Sequence, residues 1–138
     1  MLRRNAKVDL LRGIPLFDRC SRRELERIAA TADEVDLPEG KTLTREGETG
    51  REFFVLAEGL AIVRRKGRRI NVLSRGDFFG EIALVTERPR MATVTTTTPA
   101  RILVVTRRDF RRLLDDMPSL QSKILAAVAE RLPPSSLY

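Results

Sequence analysis

The chain has 138 residues, of which 42% are hydrophobic and 33% are charged, so we expect one soluble globular domain with a single core. No apolar run approaches the roughly 18 residues that a membrane-spanning helix needs, and charges interrupt the N-terminus, so we predict no membrane insertion, no signal peptide and a cytoplasmic location. The net charge of +7 means that an anionic partner must be considered, although a solvated arginine-rich surface is the plainer interpretation. The lack of histidine and the single cysteine argue against a metal site or a catalytic centre.

The first predicted helix covers residues 21 to 32. Ser21 and Glu24 have the spacing of a capping box, in which each side chain satisfies a free N–H at the start of a helix. Apolar residues then follow at helical spacing. Ahead of this helix lies a shorter apolar segment that is broken by Gly13 and Pro15.

The middle of the chain changes to short β-branched or aromatic runs that are separated by turn residues. This pattern is typical of an all-β sandwich or barrel. The predicted strands are Glu34–Leu37, Lys41–Thr44, Glu52–Ala57, Leu60–Arg65, Ile70–Leu73, Thr93–Thr97 and Arg101–Val105.

Two further helices are predicted after the strands. Thr106 and Asp109 are suited to cap the first of them, and Pro118 suits the first turn of the second. The last helix places four apolar residues on one stripe, namely Leu120, Ile124, Val128 and Leu132. The predicted fold class is therefore mainly β with flanking helices.

The segment from Phe79 to Val94 fits neither a strand nor a simple turn. Gly80 permits a tight approach of the backbone, and Glu81 to Val85 can form one short helical turn. The first N–H groups of such a turn are free to bind phosphate oxygens. Arg90 can return to the same place and supply the paired donors that a phosphate accepts best.

A carboxylate beside a phosphate site is electrostatically unusual, so Glu81 needs its own explanation. An ionised glutamate only accepts hydrogen bonds, so it can read a ribose 2′-hydroxyl while it orients Arg90. The alternative is that Glu81 merely caps the turn and pairs with Arg90 on the surface. The residues alone leave both interpretations open.

The same segment resembles the phosphate-binding cassette of the cyclic nucleotide-binding domain family. The family pattern is Phe-Gly-Glu, a hydrophobic residue, Ala-Leu, a short spacer and then Arg-x-Ala-Ser/Thr. This chain has Phe79-Gly80-Glu81-Ile82-Ala83-Leu84 and Arg90-Met91-Ala92-Thr93, with the family's spacing from Glu to Arg. Residues 45 to 59 are similar to the family's strand-and-turn signature, and Gly76-Asp77 precedes the cassette.

The resemblance implies a fold and a domain extent. The fold is a double-stranded β-helix, a jelly-roll-like β-roll, with one N-terminal helix and two C-terminal helices. The domain covers residues 10 to 132. Residues 1 to 9 are then expected to form an N-terminal lead-in, and residues 133 to 138 a C-terminal tail.

The resemblance also implies a role for each cassette residue. Glu81 takes the ribose 2′-hydroxyl, and Arg90 takes the cyclic phosphate. Backbone N–H groups around Gly80, Ile82, Ala83 and Ala92 complete the cradle.

Two residues depart from the family pattern, and the second of them bears on which nucleotide the domain prefers. Arg51 stands where many members have Asp, which puts a turn contact in doubt but leaves the cradle unaffected. Met91 stands where members that prefer guanine often have a Ser or Thr. Because Met cannot donate a hydrogen bond there, we expect cyclic AMP over cyclic GMP.

In the family, a residue of the last helix often covers the base. Arg131 can stack on adenine through its guanidinium face, and Leu132 or Val128 are the apolar alternatives. A solvated charge at the end of a helix is the plainer interpretation of Arg131.

The predicted function is therefore that of a receptor domain in which a bound cyclic nucleotide moves the C-terminal helix. We expect no enzyme activity, no cofactor and no metal. No effector segment is recognisable, so we expect a separate effector or a fragment of a larger protein. The alternative is an interaction module of the same fold that docks a partner protein through its basic surface. Nucleic acid is disfavoured because the basic residues are scattered along the chain.

Overall fold

The computed structural model describes residues 4 to 132. Five α-helices lie at the two ends and in the middle of this range: α1 Arg4–Arg12, α2 Arg22–Thr31, α3 Glu81–Thr86, α4 Arg107–Asp116 and α5 Pro118–Arg131, and a short 3-10 helix covers Pro15–Phe17. The strands are β1 Asp33–Leu37, β2 Thr42–Thr44, β3 Glu52–Glu58, β4 Ala61–Arg65, β5 Arg68–Leu73, β6 Phe78–Phe79, β7 Thr93–Thr96 and β8 Ala100–Thr106.

The strands form two four-stranded antiparallel sheets, with the orders β1-β8-β3-β6 and β2-β7-β4-β5. With the helices at both ends, this is the predicted β-roll. The seven predicted strands are all present, with ends shifted by one or two residues. Strand β6 was not predicted. It pairs with β3 through Phe54 and Phe79 and leads directly into α3.

Strand β3 is buried on both faces. Phe53 and Val55 belong to the core that the helices cover, whereas Phe54 and Leu56 belong to the core between the two sheets. Successive side chains of a strand point to opposite faces, so a strand between two cores must be apolar throughout. This explains why β3 has a continuous apolar run instead of an alternating pattern.

The predicted helices are confirmed at their starts. Ser21 Oγ accepts a hydrogen bond from the N–H of Glu24 at 3.1 Å, and Glu24 Oε1 accepts one from the N–H of Ser21 at 2.8 Å. Thr106 Oγ1 caps α4 by accepting from the N–H of Asp109, and Pro118 occupies the first turn of α5. Helix α5 ends at Arg131, one residue before the predicted stripe does.

Helix α1 was not predicted, because Gly13 and Pro15 break the pattern soon after it. Val8 and Leu11 nevertheless lie in the core, and the proposed domain start at residue 10 falls inside α1. The proposed tail, residues 133 to 138, lies outside the described residues. Between residues 4 and 132, no helix is long and apolar enough to cross a membrane.

Cys20, the single cysteine, packs half-buried against the helical core. Burial raises the pKa of its thiol to about 11, and the charges of Glu24 and Asp18 act in the same direction. The thiol is therefore protonated and poorly nucleophilic at neutral pH. This agrees with a packing role.

Candidate functional site

A cavity of about 300 Å³ lies where α3 and the end of α5 meet the sheet of β4, β5 and β7. This volume is at the lower end of the range that suits small organic ligands. The cavity is lined by all eight of the predicted site residues: Gly80, Glu81, Ile82, Ala83, Arg90, Met91, Ala92 and Arg131. The fold thus brings together residues up to 51 positions apart in sequence.

Two glycines let the backbone close around the site. Gly80 begins α3 with a φ of 97°, and a Cβ there would lie 2.8 Å from the carbonyl oxygen of Glu52 and from Arg90 Nη1. Gly50 has no such backbone demand, but its Cβ would lie 2.5 Å from Ala83 Cβ and 2.8 Å from Arg90 Cζ. Both positions therefore need glycine because of what packs against them.

Arg90 is fixed in the wall of the cavity. Its side chain donates from Nη1 to the carbonyl of Gly80 at 2.9 Å and from Nη2 to the carbonyl of Glu52 at 2.8 Å, and it lies 5.7 Å from the centre of the Phe54 ring. Only 7% of the residue is exposed. Burial lowers its pKa, and Glu52 and Glu81 oppose this change.

An arginine remains charged in any case and carries five N–H donors. Only two of the donors of Arg90 are used by protein atoms of the described chain. The others have no hydrogen-bond partner among residues 4 to 132.

Glu81 is a nearly fully buried carboxylate, with 1% of the residue exposed. Its Oε1 accepts a hydrogen bond from Arg131 Nη1 at 2.6 Å, whereas its Oε2 is buried and has no hydrogen-bond partner among residues 4 to 132. Burial raises the pKa of Glu81, and the charges of Arg131 and Arg90 oppose this change. The proposed pairing of Glu81 with Arg90 on the surface is wrong, because the glutamate is buried and pairs with Arg131.

Arg131 joins the end of α5 to the cassette. Besides its ion pair with Glu81, it donates to the carbonyl of Phe78 at 3.0 Å, and its Cζ lies 4.4 Å from the centre of the Phe78 ring. Val128 is buried in the helical core, and Leu132 is partly buried against it. A base-covering role for any of the three stays a prediction.

The far end of the cavity was missed by sequence reasoning. It is lined by residues of β4 and β5, namely Val63, Arg65, Ile70, Asn71 and Leu73. Both strands were predicted, but the face that each residue presents depends on the register, and a bulge beside Val63 shifts that register. The carbonyl of Glu52 was also missed, because a backbone acceptor leaves no signal in the sequence.

Comparisons with known proteins agree with this geometry. The family model described as the cyclic nucleotide-binding domain matches residues 34–117. A cAMP-dependent protein kinase regulatory subunit of Mycosarcoma maydis is 39% identical over 119 residues, covering 80% of this chain and 23% of the relative. One of Dictyostelium discoideum is 30% identical over 140 residues, covering 94% of this chain and 41% of the relative. The chain thus spans less than half the length of these relatives.

Solved structures have the same architecture. The regulatory domain of Toxoplasma gondii PKA with cAMP superposes with a TM-score of 0.83 at 26% identity, over 93% of this chain and 50% of that one. The catabolite activator protein of Thermus thermophilus gives a TM-score of 0.79 at 26% identity, over 89% of this chain and 60% of that one. Because the family model covers most of the chain, including the whole cassette, the chain belongs to the cyclic nucleotide-binding domain family.

Proposed function

We propose that the cavity binds a cyclic nucleotide, and cyclic AMP in preference to cyclic GMP. The observation that carries this proposal is that the buried Oε2 of Glu81 lacks a partner among the described residues. Glu81 lines the same cavity as Arg90, which has donors that no described residue uses. A carboxylate needs a donor such as a sugar hydroxyl, and a guanidinium needs an anion such as a phosphate. A cyclic nucleotide carries both groups next to each other.

In this proposal each cassette residue has one role. Glu81 accepts from the ribose 2′-hydroxyl, Arg90 binds the cyclic phosphate, and the N–H groups around Gly80, Ile82, Ala83 and Ala92 complete the cradle. The half-buried Met91 gives the base no hydrogen bond from its side chain, which supports adenine over guanine. The structures of relatives that contain cAMP support the choice of ligand.

Binding would then act on α5 through Arg131. Arg131 donates a hydrogen bond to Glu81 Oε1, so a nucleotide that reaches Glu81 also meets the end of α5. We expect ligand to favour the conformation in which α5 packs across the roll, with Arg131 near the base. The ligand can shift this equilibrium only by its differential affinity for the two conformations.

The expected output is regulatory and cytoplasmic, with no catalysis by this domain. The named relatives are regulatory subunits, which supports a protein effector for this chain as well. The competing proposal is an interaction module of the same fold in which the cavity stays unused.

Calorimetric titration with cyclic AMP and cyclic GMP distinguishes the two proposals. We expect the unaltered chain to bind cyclic AMP more tightly than cyclic GMP. Arg90→Ala should weaken binding by about tenfold or more, because each hydrogen bond to a charged group contributes about 1.5–3 kcal/mol. Arg90→Lys keeps the charge but loses the planar fork, so it should also weaken binding.

Arg68→Ala is the matched control, since Arg68 is exposed on β5 and does not line the cavity. It removes the same charge and should leave the affinity unchanged. No heat and no thermal shift with either nucleotide at millimolar concentration would contradict the receptor proposal and favour the interaction module.

A further inference from the structure

A second surface feature lies outside the cavity. A shallow groove of about 770 Å³ runs between the start of β3 and the first turns of α4. Four arginines line it, and we call it the arginine groove: Arg51, Arg107, Arg108 and Arg111. It shares no lining residue with the nucleotide cavity.

The backbone holds these arginines together. The N–H of Arg107 donates to the carbonyl of Arg51 at 2.8 Å, and their neighbours Glu52 and Thr106 are paired across β3 and β8. The sheet therefore fixes the backbones of Arg51 and Arg107 side by side, and α4 carries Arg108 and Arg111 next to them.

The positions of these arginines do not stabilise helix α4. Arg107 and Arg108 stand in the first turn of α4, where the helix dipole disfavours cations. Arg107 and Arg111 are four residues apart on one helix face, where like charges repel. Local helix stability therefore gives no reason for this cluster.

One carboxylate of the chain neutralises part of the groove. Glu87 Oε1 accepts from Arg107 Nη2 at 3.1 Å and from Arg111 Nη2 at 2.6 Å. Hydrogen bonding and charge from Arg111, and then the charge of Arg107, lower the pKa of this exposed glutamate. Glu87 also adopts a positive φ of 58°, which is unusual for a residue other than glycine.

The other two guanidinium groups have no partner in the part of the chain that the structure describes. The side chains of Arg51 and Arg108 are exposed, and neither has an ion pair or a hydrogen bond with any residue between 4 and 132. Glu87 therefore pairs with two of the four arginines, Arg107 and Arg111. The guanidinium groups of the other two remain available to a carboxylate of another molecule.

We propose that the arginine groove docks an acidic segment of a partner protein. Carboxylates of the segment displace Glu87 from Arg107 and Arg111 and pair with Arg51 and Arg108. Glu87 thus acts as an internal competitor that marks where a carboxylate binds. The proposal does not depend on nucleotide binding.

A peptide fits this groove better than a nucleic acid does. Glu87 lies between Arg107 and Arg111, and Glu52 also lines the groove, so a continuous polyanion would meet like charges. A peptide can place acidic side chains against the arginines and neutral ones against the glutamates. The planar guanidinium also matches the two oxygens of a carboxylate.

The test uses the whole chain and a short fluorescein-labelled peptide of alternating glutamate and serine, with binding followed by fluorescence anisotropy at about 0.15 M ionic strength. The double variant Arg51→Ala/Arg108→Ala should bind about fivefold or more weakly, as expected for two exposed charge pairs. Glu87→Gln removes the competitor and should bind about twofold to fivefold more tightly.

The matched control is Arg68→Ala/Arg69→Ala, which removes the same charge from the exposed strand β5 and should bind the peptide as the unaltered chain does. Equal weakening in the two double variants would show non-specific attraction and overturn the proposal. So would the absence of peptide binding. Tighter binding of duplex DNA or phosphatidylserine vesicles, lost in Arg51→Ala/Arg108→Ala, would assign the groove to another class of partner and also overturn it.

Discussion

At the scale of single residues, Glu81 combines a cost to folding with its proposed use in binding. A buried acceptor without a partner costs about 1–3 kcal/mol, and more when it is charged. The raised pKa of Glu81 expresses this cost, since burial disfavours its ionised form more than Arg131 and Arg90 favour it. A ligand hydroxyl on Oε2 would recover part of this free energy.

The first prediction concerns the pH dependence of this cost. Because the pKa of Glu81 is higher in the folded chain than in the unfolded chain, its contribution to the free energy of unfolding is most favourable at a pH below the unfolded value. The contribution is lost as the pH rises through the folded value. Glu81→Gln should therefore gain stability relative to the unaltered chain between acidic and neutral pH.

Urea unfolding of both ligand-free proteins at several pH values measures this difference. We expect the midpoint of Glu81→Gln to rise relative to that of the unaltered chain as the pH increases. A constant difference across the pH range would show that Glu81 is not strained by burial.

At the scale of elements, the sequence predicts those whose signals are local. The capping box of α2 and the capping threonine of α4 specify their helix starts without help from the rest of the chain. The strands were predicted because β-branched and aromatic runs lie between turn residues. Strand β6 was missed because two residues carry no periodicity, and α1 because it depends on packing against α2 and the core.

The site itself was predicted only in part, for the same reason. The cassette lies within one short segment, so its residues could be recognised together. The residues of β4 and β5 enter the cavity through the tertiary register, and the partner of Glu81 comes from the far end of α5. The family resemblance named Arg131 for the base, but no local pattern indicated its ion pair with Glu81.

A second prediction tests how the loop before β3 supports α3. Gly50→Ala places a methyl group 2.5 Å from Ala83 Cβ and 2.8 Å from Arg90 Cζ, so something must move. We expect a loss of about 1–3 kcal/mol in the free energy of unfolding, as for other overpacked sites. Nucleotide affinity should fall with it, because the displaced groups form the cradle.

Gly13→Ala is the control. The nearest atom to its added Cβ lies at an ordinary 3.6 Å, and like Gly50 it makes no demand for a positive φ. It should keep both stability and affinity. An unchanged nucleotide affinity in Gly50→Ala would show that the cradle does not rely on this contact.

At the scale of the whole molecule, Arg131 connects Glu81 of the site with the end of α5. Its single guanidinium contacts Glu81, the Phe78 carbonyl and the Phe78 ring. The inner face of α5 holds Leu120, Ile124 and Val128 in the core, so most of the helix is anchored independently of the site. In the last turn, Val128 packs in the core and Arg131 contacts the cassette.

A third prediction follows for hydrogen exchange. Arg131→Ala should speed amide exchange in the last turns of α5 by about fivefold, the effect of about 1 kcal/mol once the partial exposure of Arg131 is considered. Lys123→Ala, which removes an exposed ion pair between α5 and Asp18, should have a smaller effect. Cyclic AMP should slow exchange in α5 of the unaltered chain. Unchanged exchange in Arg131→Ala would remove Arg131 as the link.

The central claim is that Glu81 reads the ribose hydroxyl. It is tested most directly by calorimetric titration of the unaltered chain and Glu81→Ala with cyclic AMP and with 2′-deoxy cyclic AMP. We predict that Glu81→Ala weakens cyclic AMP binding by about tenfold or more but changes binding of the deoxy analogue much less, since the hydrogen bond in question is already missing there. An equal loss for both nucleotides would contradict the claim and leave Glu81 a structural residue.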